Sequence, residues 1–437
     1  MARVVRTRRQ DFVTRASAPR LVRSLRHRNF RLFFGGQTIS LVGTWMTRIA
    51  TGWLVYRLTG SALELGIIGF CGQIPALLLG PFAGVIIDRV DRRRLLVATQ
   101  VLLLVHAAVL AGLTLANIIT VPQLLVLQLM QGAINAFDMP ARQSFVVEMV
   151  DDPDDLSNAI ALNSTMINGS RVIGPSVGGA LIAMVGEGWC FAIDALSYVA
   201  VIASLMAMTT PRSRPAPRGT RVLQELRSGW RYVMSSRSIR TTLALVVITS
   251  TMGMPYTVLM PAVAADALGG GPNTLGALMA AVGVGALAGG LYLASRESVA
   301  GLDRVILVGA VLFGGSLVAF SLSRVLWLAL LTVGVTGTGF IIQLASTNTL
   351  LQATVDERFR GRVMSFYTTA ILGTVPIGSL LAGVAADRIG APATTMIGGI
   401  ACMLGGVWFA SVLGRGDGVQ GPGDAGQVGR VPDPDIV

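Results

Sequence analysis

The chain has 437 residues, of which 52% are hydrophobic and only 13% charged, with a mean hydropathy of +0.66; soluble domains carry about 25% charged residues, so a polytopic membrane protein is expected. Its positive side chains are all Arg, and the net charge of +12 reads as membrane sidedness rather than nucleic-acid binding. Three widely spaced Cys (Cys71, Cys190, Cys402) and two distant His (His27, His106) argue against a disulfide framework or a zinc site, and no metal or cofactor is expected.

A helix needs about 20 apolar residues to cross a hydrocarbon core of about 30 Å. Twelve stretches qualify, near 31–56, 62–87, 95–116, 121–147, 157–185, 189–208, 241–265, 275–294, 305–322, 325–352, 362–386 and 393–413. The basic segment 1–30 precedes the first, and no small-residue cleavage site follows it, so the first helix is expected to stay on the protein. Thirty Arg fall on the side of that segment, three (Arg57, Arg324, Arg388) on the opposite side, and two (Arg48, Arg171) inside spans. This asymmetry predicts a multi-pass protein of the bacterial inner (plasma) membrane with both termini in the cytoplasm.

Span two ends in GPFAGVIIDRVDRRRLL, residues 80–96. Gly80 and Gly84 are spaced for close approach of another helix, and a charged turn follows. The fifth span carries Gly174, Pro175, Gly178 and Gly179; Pro175 lacks a backbone donor and is expected to kink the helix, while the glycines thin it into a pivot or simply pack it closely. Gly174-Pro175-Ser176-Val177-Gly178 also matches a nucleophile elbow formally, but that motif needs a strand, a turn, a helix and a His partner. A Walker A loop needs Lys. Neither an enzyme nor an ATP-driven pump is expected, and there is no catalytic residue to assign.

The break at 209–240 divides the chain into six plus six spans. Its Val222, Leu223, Leu226, Trp230, Val233 and Met234 recur at helical spacing opposite Arg221, Arg227 and Arg231, which predicts an amphipathic helix on the anionic leaflet; a solvated linker is the alternative. The halves echo one another, with Val150-Asp151 answering Val355-Asp356 and Gly178-Gly179 answering Ala382-Gly383. Such a repeat suits two six-helix bundles related by an axis along the membrane normal. The expected organisation is therefore a basic segment 1–30, bundles at 31–208 and 241–413, the loop 209–240, and a Gly/Pro-rich disordered tail at 414–437.

The order Gly84-x-x-x-Asp88-Arg89-x-x-Arg92-Arg93 resembles the signature of the major facilitator superfamily between spans two and three, with Asp91 where the family has Gly. The resemblance implies an all-α fold of twelve transmembrane helices in two six-helix bundles, with this turn as a cytoplasmic latch between them. An ordinary basic loop is the competing reading, and the equivalent loop 295–304 has largely lost the pattern. WLVYRLTGSALELGIIG (53–69) and NAFDMPARQSFVVEMV (135–150) resemble the bacterial branch that includes the enterobactin exporter and macrolide efflux proteins. Gly174-Pro175-x-x-Gly178-Gly179 resembles the antiporter signature of drug exporters, although Ser170 stands where an earlier Gly is expected. These resemblances run from about 25 to 413 and imply export of a drug, macrolide or siderophore by proton antiport.

Ionisable residues inside spans are costly, about 2.5–3.5 kcal/mol each on insertion scales, and mark function by default. The candidates are Arg48, Asp138, Arg171 and Asp194, with Glu64 and Glu148 near the two surfaces. Axial depth predicts Asp138 beside Arg171 and, less strongly, Arg48 beside Asp194. Asp138 is the first choice for proton coupling, by separation from Arg171 or Arg142; a permanent Asp138–Arg142 pair is the structural alternative, and Asp194 is a weaker candidate. Polar groups that could line a cavity are Gln37, Gln128, Gln131, Asn135, Asn163, Asn168, Tyr256, Gln343 and Asn348. The resemblance places the first, fourth, seventh and tenth spans on the cavity, which favours Gln37, Arg48, Gln131, Asn135, Tyr256, Gln343 and Asn348. The expected partners are a small molecule, protons and the lipid bilayer, with no nucleic acid and a monomeric state. A same-fold importer or lipid flippase, or a non-transporting receptor or scaffold, are the alternative functions.

Overall fold

The structure is a computed structural model that describes residues 20–87, 89–150, 152–209, 222–296, 298 and 300–413; the segment 1–19, Asp88 of the latch motif and the tail 414–437 lie outside the described residues. Apolar helices joined by short turns make up this chain because a lipid-facing backbone must satisfy its own hydrogen bonds. The first half consists of α1 (Arg28–Thr59), α2 (Ala62–Ile87), α3 (Arg92–Leu115), α4 (Val121–Val146), α5 (Pro153–Val185) and α6 (Glu187–Ala207). A shorter α7 (Val222–Ser235) then leads to the second half: α8 (Arg237–Ile248), α9 (Tyr256–Ala262), α10 (Pro272–Ala294), α11 (Leu302–Leu322), α12 (Leu326–Thr354), α13 (Glu357–Ile389) and α14 (Ala391–Leu413).

The helices α8 and α9 form a single rod. The π-turns Thr249–Gly253 and Val263–Ala267 join and extend them where Pro255 and Pro261 cannot donate to an α-helical ladder. With that rod counted once, the described residues form the expected twelve spans, and capping chemistry sets many of their ends. Thr120 and Gln123 form a capping box at α4, Asp152 accepts from the Asp154 amide at α5, and Asp91 accepts from the Arg94 amide at 3.1 Å to begin α3. Among the described residues, nine helices are long and apolar enough to cross a membrane by composition alone. The three that fall short, α1, α4 and α5, are those that carry Arg48, Asp138 and Arg171.

Packing repeats between the halves. The helix α1 packs on α5 and α6, α2 on α4, and α3 on α4 and α6; α8 packs on α13 and α14, α10 on α12, and α11 on α12 and α14. Two seams join the bundles, α2 against α13 and α5 against α10.

The two ends of these seams differ. At the arginine-poor end, a Cβ on Gly66 would lie 2.7 Å from the Gly383 Cα, and one on Gly179 would lie 2.9 Å from the Gly276 Cα, so only glycine permits that approach. The largest hydrophobic core lies there and mixes the halves, with Met46, Leu54, Leu65 and Ile182 clustered with Tyr256, Leu259, Phe313 and Ala386. At the arginine-rich end, the first half has its own core around Phe30, Leu96 and Phe145, and the second has separate cores around Val233 and Tyr367 and around Ile306 and Phe409. Between described residues every ion pair lies within one half. The bundles are sealed at the arginine-poor end and parted at the other.

Candidate functional site

Two guanidinium groups lie within the spans α1 and α5, beside the contacts between the halves. Arg48 lies 11 residues before the arginine-poor end of α1, about 17 Å along its axis, and Arg171 lies 14 residues before that end of α5, about 21 Å. Arg48 shares a helix face with Gly52, whose missing side chain faces Pro261 of the opposite half at 3.3 Å. Arg171 shares a face with Pro175 and Gly179, which pack against Gly276 of α10. The α5–α10 seam runs on to Arg171, where a Cβ on Gly283 of the opposite half would lie 3.1 Å from the Arg171 carbonyl oxygen and 2.8 Å from Val172, so both charges lie beside the contacts between the halves. Arg48 is exposed and Arg171 half-buried.

Trp45 joins them. The Arg48 and Arg171 guanidinium carbons each lie 5.2 Å from its ring centroid. Neither guanidinium forms an ion pair or hydrogen bond with any described residue. Cation–π contacts contribute about 0.5–2 kcal/mol each against an insertion cost of about 2.5–3.5 kcal/mol per Arg. Trp45 thus offsets only part of the cost of placing two like charges together.

The depth-based pairings are not formed. Asp138 does not meet Arg171: its carboxylate accepts from Arg142 at 2.8 Å, Thr99 at 2.8 Å and Gln100 at 2.8 Å. Axial depth ignores azimuth, and the residue four positions along the same helix is the nearer partner. Arg48 likewise does not meet Asp194. The Asp194 carboxylate is 1% exposed and packs where a Cβ on Gly43 would lie 2.6 Å from its Oδ1. Its hydrogen bond from the Ser197 hydroxyl is long, 3.4 Å, and it has no cationic partner among the described residues.

The other candidates have varied surroundings. Gln37 is buried in α1, and Gln131 and Asn135 are half-buried one turn apart on α4. Tyr256 is buried with its ring edge-on to Phe313 at 6.3 Å. The Gln343 amide donates to the Thr249 hydroxyl at 2.6 Å and ties α12 to the first π-turn, while Asn348 accepts from Gln352 at 2.5 Å. Of the polar residues expected in the cavity, Gln343 therefore serves helix packing.

In the latch motif, Arg92 hydrogen-bonds Glu148. Arg93 donates to the Leu205 and Met206 carbonyls at 2.7 and 2.8 Å, capping the negative end of α6. Both bonds stay within the first half, Arg89 is exposed, and a Cβ on Gly80 or Gly84 would meet nothing within 4 Å. The expected close approach at these glycines is absent because the cleft is open there. In span five, Gly174 and Gly178 pack on Trp45 and Met46 of their own half, and only Gly179 reaches the other; α5 is helical throughout, from Pro153 to Val185.

Sequence reasoning passed over two features. Trp45 carries no charge, yet its i,i+3 spacing from Arg48 was a usable signal. At the arginine-rich end, Arg23, Arg26 and His27 converge on the buried Asp155, while the Ser24 amide and hydroxyl donate to Asn158 at 2.9 and 2.8 Å. Burial would raise the Asp155 carboxyl, but hydrogen bonds from His27 and Arg23 hold it below its ordinary value, and the bond to Asp155 raises Arg23.

A family model described as transmembrane secretion effector matches residues 21–415. The chain belongs to this family. These secretion effectors are major facilitator transporters rather than enzymes. Among curated members, the staphyloferrin A transporter of Staphylococcus aureus (strain NCTC 8325 / PS 47) is 26% identical over 85% of this chain and 92% of its own. The multidrug efflux pump Tap of Mycolicibacterium fortuitum is 25% identical over 84% and 91%, and macrolide efflux protein A of Streptococcus pyogenes is 22% identical over 83% and 90%. The fold is shared with solved transporters. A bacterial homologue of the human lysosomal transporter Spinster, in an inward-facing and unoccupied conformation, gives a TM-score of 0.69 at 14% identity, covering 88% of this chain and 97% of that one. A peptide transporter gives 0.71 at 13% identity over 89% and 94%. As a secretion effector, the chain has a small-molecule substrate and a membrane environment.

Proposed function

We propose that this transporter exports an amphipathic small molecule from the cytoplasm by alternating access, driven by protons moving inward. The observation that carries the reading is the asymmetry of the cleft: one core is shared by the halves at the arginine-poor end, and separate cores lie at the arginine-rich end. Positive loops face the cytoplasm, so the cleft loads from inside. Two of the curated relatives, the multidrug efflux pump Tap and macrolide efflux protein A, act in efflux, which supports the outward direction.

Proton coupling is assigned to Asp194 in preference to Asp138. A carboxylate held by an Arg and two neutral donors gains little from a proton, whereas one buried without a cation changes its packing when it is neutralised. Asp194 lies against Gly43 and beside Thr47 on α1, the helix that carries Trp45 and Arg48, so protonation there would reach the cargo site through one helix. Everted vesicles test the whole reading. Uptake of a fluorescent cargo should require an imposed proton gradient and stop when an ionophore collapses it; uptake indifferent to the ionophore rules out antiport.

A further inference from the structure

Five of the acids described near the spans are placed by contacts other than Arg48 or Arg171. Asp138 is held by Arg142, Glu148 by Arg92, Glu187 by Arg57 and Asp266 by the Tyr56 hydroxyl, while Asp194 faces Gly43. Arg48, which is exposed, and Arg171, which is half-buried, keep two guanidinium groups at one aromatic ring, with no carboxylate supplied by any described residue. A guanidinium presents a rigid fork of donors that matches carboxylate and phosphate geometry. Two forks converging on one indole suit an anionic head joined to a hydrophobic body.

On the reading of the chain as a small-molecule transporter, we propose that its cargo is an amphipathic anion whose acidic group is gripped jointly by Arg48 and Arg171, with Trp45 holding the two guanidinium groups in register. Because the Arg171 backbone packs against Gly283 of the opposite half, the anion binds beside the seam between the halves. The acidic group belongs to a cargo that enters from the cleft rather than to a bilayer lipid, since both Arg lie on the faces turned towards the opposite half.

The test uses two dyes that share a xanthene ring and differ in charge, carboxyfluorescein (anionic) and rhodamine 6G (cationic). Their binding is read by fluorescence polarisation to the purified full chain in phosphatidylcholine nanodiscs. The anionic dye should bind at least about tenfold more tightly than the cationic one, and Arg48→Gln or Arg171→Gln should each weaken it by about tenfold or more. Arg48→Lys and Arg171→Lys should retain part of the affinity. The double variant Arg48→Glu/Arg171→Glu should reverse the preference, a gain that an unfolded protein cannot show. Equal or tighter binding of rhodamine 6G to the unaltered chain, or unchanged carboxyfluorescein binding after both Arg→Gln changes, overturns the inference. Loss of carboxyfluorescein binding on adding phosphatidylglycerol to the nanodiscs overturns the cargo assignment in favour of a lipid headgroup. Binding also separates this inference from the transport reading. Vesicles that take up rhodamine 6G but not carboxyfluorescein keep transport and sink the anion, whereas charge-reversible binding without uptake of either dye does the converse.

Discussion

Asp138 and Asp194 are equally buried, each 1% exposed, yet one sits among three donors and the other faces a glycine notch. Replacing Asp138 with Ala leaves Arg142, Thr99 and Gln100 without their acceptor, and breaking a buried pair from one side costs about 3–5 kcal/mol. Asp138→Ala should therefore lower the thermal midpoint of the purified protein markedly, while Asp138→Asn, which keeps an acceptor, should still couple transport to the gradient. Asp194→Asn should do the reverse: fold normally, exchange cargo down its gradient, and take up no more cargo with a proton gradient than without one. If Asp138→Asn uncouples transport and Asp194→Asn does not, the assignment of the two carboxylates is inverted. The identities of these charges were legible in the sequence, because an ionisable residue in an apolar run is conspicuous. Their partners were not. Depth along a helix can be counted from sequence, but azimuth depends on how neighbouring helices are rotated, and that is fixed by glycine contacts such as Gly43 on Asp194 and Gly174 on Trp45.

At the level of elements, apolar runs located the spans even where Arg48, Asp138 and Arg171 leave α1, α4 and α5 short of a spanning hydropathy, but capping fixed where several begin. The seventh span, expected at 241–265, is helical from Arg237 to Ala267 because Ser236 caps its start and π-turns absorb its prolines. The fifth starts at Pro153, where Asp152 caps it. The next residues of α5 also anchor the short helix Arg20–Arg26 through Asp155. Asp155→Asn should free that helix while leaving the spans folded, read as faster tryptic cleavage at Arg23 and Arg26 with little change in the thermal midpoint. The pH dependence follows from the direction of its shift. A carboxyl held below its ordinary value of 3.8 in the folded protein contributes fully above that value and loses its contribution as pH falls through the lower folded value. Protection of Arg23 and Arg26 should thus hold from neutral pH down to about pH 4 and fail only below it. Loss of protection between pH 7 and 6 would point to His27 rather than Asp155 as the controlling group.

For the whole molecule, the sealed end depends on side chains that are absent. The reciprocal approach of Gly66 and Gly383, where a Cβ on Gly383 would lie 2.8 Å from the Gly66 Cα and 3.0 Å from the Ala62 carbonyl, closes one seam, and the Gly179–Gly276 contact closes the other. A larger side chain at either seam penalises only the conformation in which the seam is closed. Overpacking of this kind costs about 1–3 kcal/mol, which at about 1.4 kcal/mol per decade shifts the population by roughly 5- to 150-fold. Gly383→Leu should therefore move the protein towards a state open at the arginine-poor end. The readout is a cysteine introduced at Thr51, buried at 4% exposure in this conformation, with Cys71, Cys190 and Cys402 replaced by Ser. In intact cells, a membrane-impermeant maleimide should label Thr51→Cys slowly, and adding Gly383→Leu should accelerate labelling by at least the lower end of that range. Labelling that slows, or that accelerates only in everted vesicles, would mean that the arginine-poor end faces the cytoplasm, reversing both the sidedness and the direction of transport argued from the arginines.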